Sequence, residues 1–246
     1  HLYQSDPCRV LFPRQADGAP KEAVIVTTSG GVVGGDRLRF EIGATADCVA
    51  TVTTQAAEKI YRAAGADSEI DVTVSAEDCG FLEWMPQETI LFDGARLRRR
   101  TWLELHGTAR VLAGEIVVFG RRARDEKFTY GFLHDDWRVF QDGRLVWADA
   151  LHLSDDIGTG IANVHAFDGA AAVATALYCA PDAVASLEYA RDLIGAGGAS
   201  CVDGILVIRL VNTDAAVLRA DFAQFWKMFR HETAGLPATL PRVWEV

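Results

Sequence analysis

The chain has 246 residues, half of them hydrophobic, and a formal net charge of −10, with a pI near 5.0. That is enough apolar material for one large cored unit or two small ones. The acidic balance argues against nucleic acid as a partner, because phosphate recognition needs a basic face.

Strand-like alternation begins at Leu38, Phe40 and Ile42, set between Arg39 and Glu41. It returns at Ile70, Val72 and Val74, and again at Leu103 and Leu105 on either side of Glu104. Gln141-Asp142-Gly143-Arg144 is a turn signal between Phe140 and Leu145. Asp203-Gly204 divides a further strand pair, with Ile205 to Val211 as a buried strand. Strands at this spacing, without helices between them, predict a mostly antiparallel, mostly β architecture. Two segments break the pattern. Val184, Leu187, Ala190, Arg191 and Ile194 predict a helix over about 181–195, stopped by Gly195-Ala196-Gly197-Gly198. After a strand over about 201–211, Leu218, Phe222, Phe225 and Phe229 fall on one face of a helix over about 214–231. Asp214 is its cap, and Gly235 and Pro237 lie beyond its end. With no linker or internal repeat, residues 1–246 read as one domain, a β-body over about 1–178 followed by two helices.

The cysteines are Cys8, Cys48, Cys79, Cys179 and Cys201, an odd set with no CxxC. They predict a reducing, cytoplasmic setting and no disulfide framework. Cys48 and Cys79 sit in apolar, strand-like surroundings that predict buried, inert thiols. Apolar runs such as Ala170 to Leu177 are too short to span a bilayer. No membrane partner is expected, and no signal peptide is visible. The abrupt start at His1-Leu2-Tyr3 reads as a fragment of a longer protein.

Gly30-Gly31-Val32-Val33-Gly34-Gly35-Asp36 packs four glycines into six positions before a carboxylate. A phosphate loop would need Lys-Ser/Thr after the last glycine, and a dinucleotide fingerprint would need a helix. Here Asp36-Arg37 and a strand follow. The reading is a structural turn built on Gly30, Gly31, Gly34 and Gly35, with Asp36 as a turn cap or facing a ligand. The polar run Gln55, Glu58, Lys59, Tyr61, Arg62 reads as a solvated turn, with Glu58 and Arg62 paired if it is helical.

Glu83, Glu88, Asp93 and Glu115 are carboxylates embedded in apolar sequence. They predict either a cluster for acid–base or hard-cation chemistry, or salt bridges to Arg96, Arg98, Arg99, Arg100, Arg121 or Arg122. The six histidines form no HxH, HExxH or Cys/His knuckle. His134-Asp135-Asp136 reads as a solvated loop, with transient cation binding as the alternative. Phe222, Phe225, Trp226 and Phe229 pack on the body or dock a partner, and core packing is the default.

Three blocks in order resemble a known family. Ser29 to Asp36, Thr53-Thr54-Gln55-Ala56-Ala57-Glu58-Lys59-Ile60-Tyr61, and Trp84-Met85-Pro86-Gln87-Glu88-Thr89-Ile90-Leu91-Phe92-Asp93-Gly94-Ala95 resemble the urease accessory protein UreD, called UreH in some bacteria. Gly114-Glu115 with Gly120-Arg121, and Leu236-Pro237 with Leu240-Pro241-Arg242-Val243-Trp244, are similar to its later blocks. The likeness spans nearly the whole chain. It departs at the N-terminus, where the family has a longer lead-in, and over Phe12 to Lys21.

The resemblance implies an extended helical stack of β-strands, β-solenoid-like, with two α-helices in the C-terminal third. It implies a non-enzymatic maturation factor that binds apo-urease, assembles with UreF and the GTPase UreG, and serves nickel delivery. A dimer of that accessory complex is a further implication. No cofactor is expected to be tightly bound, and nickel binding is expected to be transient. Carboxylates, carbonyls and water suit a passing cation better than a closed Cys/His cage. On that basis a polar path is expected to use Asp36, Thr53, Gln55, Glu58, Glu83, Gln87, Glu88, Asp93 and Glu115. The alternatives are a β-rich glycoside hydrolase using Glu88 and Glu115, with Trp84, Trp102 and Trp147 stacking on sugar, and a purely structural bridging subunit.

Overall fold

Alternating segments expected to pair antiparallel pair in parallel instead, with strands one full coil away. In the computed structural model, which describes residues 1–15, 20–195 and 197–245, the chain shuttles between two sheets. Strand β1 (Cys8–Leu11) lies antiparallel to β2 (Lys21–Thr27) in the first sheet. The chain then crosses to β3 (Arg37–Ala44) in the second sheet, returns through β4 (Val49–Thr54) and β5 (Glu58–Ile60), and crosses again to β6 (Ser68–Ala76). The next coil is β7 (Phe81–Met85), β8 (Thr89–Leu91) and β9 (Arg96–Leu105), and the last is β10 (Arg110–Phe119) and β11 (Phe132–Gln141).

Each strand lies parallel to its counterpart in the next coil. In the first sheet β2 pairs with β4, β4 with β7 and β7 with β10. In the second, β3 pairs with β6, β6 with β9 and β9 with β11. The molecule is therefore a parallel β-solenoid, as the resemblance implies, and the antiparallel expectation is corrected. Parallel neighbours need a crossover, and here a strand of the opposite sheet supplies it in place of a helix. A period of two is common to both arrangements, so alternation could not separate them.

The corners of the coils repeat. The turn between the sheets uses a left-handed residue at Asp47 (φ 58), Cys79 (φ 59) and Gly107 (φ 58) in successive coils. These corners stack: the Asp47 N–H donates to Asp78 O, and the Thr108 N–H donates to the Asp78 carboxylate at 2.7 Å. Cys79 is thus an exposed corner residue and not the buried thiol expected, while Cys48 is half-buried. The glycine run forms another close approach. Val32 N–H donates to Lys59 O and Tyr61 N–H to Val32 O, binding this loop to the next coil. A Cβ on Gly31 would lie 2.6 Å from Lys59 O, and one on Gly34 2.6 Å from Ala66 O. Backbone contact between coils requires glycine there. The segment after Gln55 is strand β5, so Glu58 and Arg62 do not form the helical pair considered above.

Antiparallel pairing returns past the last coil. β12 (Arg144–Leu153) folds back on β11 through the predicted turn, with Asp142 at φ 50 and Gly143 at φ 78. A six-residue helix, α1 (Ile157–Ala162), was not predicted, and its two glycines explain why. β13 (Ala172–Cys179) pairs with β10. Helix α2 (Leu187–Ile194) starts later than predicted, after a run of turns at 181–186. The strand pair predicted on either side of Asp203-Gly204 is a hairpin, β14 (Gly198–Val202) and β15 (Ile205–Asn212), so the strand given over about 201–211 is two, and they extend the first sheet. Helix α3 (Ala215–Ala234) is capped by Asp214, which accepts from the Ala216 and Val217 N–H groups, and it ends at Gly235 (φ 64). Ala196 of the predicted helix stop, and residues 16–19 of the poorly matching segment, lie outside the described residues.

The first sheet has a core on each face. Val52, Trp84, Ala113 and Val117 point between the sheets and meet Val72, Leu97, Leu103 and Val139. Phe81, Met85, Leu112 and Ile116 point outward and meet α3. Phe222, Phe225, Trp226 and Phe229 are all buried there. This corrects the docking alternative for them: packing on the sheet occupies the face a partner would need.

Candidate functional site

Strand alternation decides what enters the space between the sheets. Along β9, Leu97, Arg99, Thr101 and Leu103 point inward and are buried, while Arg98 and Arg100 point out. The parallel register sets Arg99 beside Asp135 of β11. Arg99 Nε donates to Asp135 Oδ1 at 2.9 Å and Nη2 to Asp135 Oδ2 at 2.6 Å. Nη2 also meets Glu115 Oε2 at 2.6 Å, and Nη1 donates to Thr89 Oγ1 at 2.8 Å. Trp137 Nε1–H donates to Glu115 Oε1 at 2.7 Å. Arg99, Glu115 and Asp135 are each no more than 5% exposed.

Two carboxylates facing one guanidinium in a dry interior carry one negative charge too many. The proton is the remedy. Burial, reinforced by the Asp135 charge, pushes the Glu115 carboxyl well above the usual range, despite the opposing pull of Arg99. For Asp135, burial acts in the same sense, but the Arg99 charge and hydrogen bonds outweigh it and hold the group below its ordinary value. Of the two carboxyls, Glu115 is therefore the one disposed to keep a proton and Asp135 the one disposed to carry the charge opposite Arg99.

Small cavities flank this cluster. One of about 40 Å³ is bounded by Thr27, Glu58, Trp84, Gln87, Thr89, Arg99, Thr101 and Glu115 among others. Among the described residues, the buried Thr101 hydroxyl has no hydrogen-bond partner, and the cavity beside it has room for a water molecule. A second cavity, of about 20 Å³, is bounded by Glu115, Asp135, Trp137, Asp149 and Thr175 on the other side. Burial pushes the Glu58 carboxyl upward, opposed by a hydrogen bond from Thr27 Oγ1 at 3.2 Å. Polar groups thus run from Glu58 and Thr27, past Thr89, Arg99 and Glu115, to Asp135 and Asp149.

A second buried charge cluster lies on the opposite face of the first sheet. Glu83, fully buried, receives Arg230 Nε at 2.9 Å and Nη2 at 2.5 Å, Trp226 Nε1 at 2.8 Å and Thr51 Oγ1 at 2.5 Å. Arg230 Nη1 also donates to Thr239 O at 2.6 Å, so the pair ties α3 and the C-terminal segment to β4 and β7. Thr53 Oγ1 donates to Met85 O at 2.6 Å and accepts from Trp244 Nε1 at 3.1 Å. Gln87 Nε2 donates to Val243 O, and its Oε1 accepts from Arg219. Glu88 pairs with Arg219 Nε at 2.6 Å.

The nine expected path residues therefore separate. Glu58, Gln87 and Glu115 border the interior cavities. Thr53 and Glu83 face the helix side. Asp36 is exposed, and its Oδ2 accepts from Val33 N–H at 2.9 Å as a turn cap. Gln55 is exposed as well. Asp93 receives Thr129 N–H at 2.7 Å and the Thr129 hydroxyl at 2.9 Å, fastening the loop before β11. Glu88 borders a cavity of about 710 Å³, beside Lys59, Arg121, Arg122, Arg124 and the start of α3. The supposed cluster of Glu83, Glu88, Asp93 and Glu115 is thus dispersed, three of its members each held by an arginine. Among the described residues no three His, Cys, Asp or Glu side chains are grouped to hold a metal ion. His134-Asp135-Asp136 is strand and not loop: Asp135 is inside, and Asp136 pairs with Arg138. Sequence reasoning left Arg99 and Asp135 out of the expected path. The inward alternation of Leu97, Thr101 and Leu103 was the signal that would have found Arg99.

A parallel solenoid whose buried charges serve to fasten coil to coil and helix to sheet belongs to the class of β-rich scaffold proteins. The family model described as UreD urease accessory protein matches residues 1–245. The urease accessory protein UreD of Magnetococcus marinus is 44% identical over 254 residues, covering 100% of this chain and 88% of that protein. UreD of Xanthobacter autotrophicus is 44% identical over 247 residues, covering 99% and 83%. UreD of Azorhizobium caulinodans is 43% identical over 240 residues, covering 96% and 86%. The chain belongs to the UreD family of urease accessory proteins. It is a non-catalytic factor of urease maturation, which removes the glycoside hydrolase alternative.

Proposed function

We propose that the chain is a scaffold that binds apo-urease, recruits UreF and the GTPase UreG, and passes nickel through the solenoid interior. The observation that carries the path is the position of Glu115, buried against Asp135 and Arg99 between two small polar cavities, where burial favours its protonated form. A dication approaching this point meets the Arg99 charge. Release of the Glu115 proton supplies the compensating negative charge, so the ion moves forward against a proton. The donors are carboxylates and hydroxyls, which hold a passing ion loosely. Glu58 stands at one end of the path and Asp149 at the other, while Asp36 and Asp93 fasten loops and Gln55 lies at the surface. One domain and a cytoplasmic setting are part of this reading. Two cores sharing one sheet and five free cysteines support it.

The test is co-expression of Glu58→Ala and Glu115→Gln chains with UreF, UreG and apo-urease. Glu115→Gln keeps the shape of the protonated acid and the hydrogen bond from Trp137 but cannot ionise. The expected result is a complex that co-purifies normally while urease activation falls. Normal activation by both variants would overturn the path, and failure of the wild-type chain to bind any partner would overturn the scaffold.

A further inference from the structure

The solvent side of the second sheet carries two imidazoles edge to edge. His134 of β11 stands directly opposite His152 of β12 in the antiparallel register. Their Nδ1 atoms are 3.3 Å apart. Metal–imidazole bonds are about 2.0–2.1 Å long, so two cis nitrogens on one ion lie about 2.9 Å apart at a right angle and about 3.3 Å apart at the tetrahedral angle. The observed separation is the tetrahedral edge, reached without moving either strand.

The imidazole pair is held in place by its neighbours. Phe132 packs edge-on against the His152 ring, with centroids 5.4 Å apart. Arg98, the register neighbour of His134, and Arg96 lie over the Phe132 ring at 4.4 and 5.2 Å, and both are bonded through Nε to Asp67, at 2.7 and 2.6 Å, which offsets part of their charge. β12 is the edge strand of its sheet, and His152 is exposed, so the remaining coordination positions are open to water or to a side chain of another protein.

We propose that His134 and His152 form a surface two-histidine site for a borderline divalent transition ion such as Ni²⁺, Cu²⁺ or Zn²⁺. Imidazole nitrogens suit these ions, and copper binds tightest in such sets. The site is separate from the interior path, because Asp135, next to His134, points through the sheet to the other side. Its existence does not depend on the path.

The experiment uses the full chain in equilibrium dialysis against Ni²⁺ at about pH 7.5, where ordinary imidazoles are neutral. His134→Ala and His152→Gln should each lose the same single ion per chain, and the double variant should lose no more than either. Even an outer-shell group is worth about 10–100-fold in metal affinity, so loss of a direct ligand should cost no less. As a check free of substitutions, Ni²⁺ should protect both histidines of the wild-type chain from diethyl pyrocarbonate, read peptide by peptide by mass spectrometry. Unchanged stoichiometry in the variants, or equal modification with and without Ni²⁺, would reduce the pair to an imidazole–imidazole hydrogen bond and overturn the proposal.

Discussion

Glu115→Gln offers a sharp test of the buried charge arrangement. The protonated acid has the shape of an amide and differs from it only in that its OH oxygen can still accept. In glutamine the amide oxygen can accept from Trp137 Nε1 while the NH2 donates to Asp135, but the contact that Arg99 Nη2 makes to Oε2 is lost, so its stability cost at neutral pH should be about 1–2 kcal/mol. Glu115→Ala instead leaves the Trp137 N–H without its acceptor in the interior and opens a cavity, which together should cost about 3–5 kcal/mol. Dependence on pH separates the reasoning further. The folded Glu115 group holds its proton above the ordinary value of 4.5. Its contribution is therefore fully present below that pH and is lost as pH rises toward its folded value, at a little over about 1 kcal/mol per unit in that window. Urea denaturation of both proteins at several pH values from 4.5 upward should show Glu115→Gln gaining on the wild type as pH rises. A constant difference between the two would refute a protonated Glu115, and so would a glutamine variant as unstable as the alanine one.

Arg230→Met strands the buried Glu83 carboxylate and should cost about 3–5 kcal/mol in chemical denaturation, much of it recovered by adding Glu83→Leu. If the single variant is as stable as wild type, the clamp on α3 is not a buried ion pair. Gly31→Ala should lower the thermal midpoint more than Gly35→Ala, because both have left-handed φ but only Gly31 would drive a Cβ into Lys59 O. Burial alone raises the Cys179 thiol far above its usual range, so native protein should leave Cys179 unmodified by a thiol reagent while exposed Cys79 reacts, with denaturant releasing the difference.

Local patterns were legible in the sequence, and long-range pairings were not. The Gln141 to Arg144 turn, the Asp214 cap and the Gly235 stop all depend on neighbouring residues, and each falls where it was read. The inward set Ile70, Val72, Val74 was equally plain, yet nothing in a two-residue period says whether the next strand runs parallel or back. The fate of the carboxylates was hidden for another reason. Glu83 meets an arginine 147 positions away, and Glu115 meets one from another sheet. Buried charge predicts that a partner exists and not which residue it is. The glycine run was read as a structural turn, but its purpose became visible only with the Lys59 backbone against Gly31.

The repeated corners at Asp47, Cys79 and Gly107 bear on how such a chain can change in length. A residue inserted within β6 or β9 inverts every side chain beyond it, sending Ile70 or Arg99 to the surface. A residue inserted at a corner lengthens one loop and leaves the rungs in phase. Insertions and deletions among related chains should therefore gather at these corners, and a gene could gain or lose an entire coil more safely than a single codon.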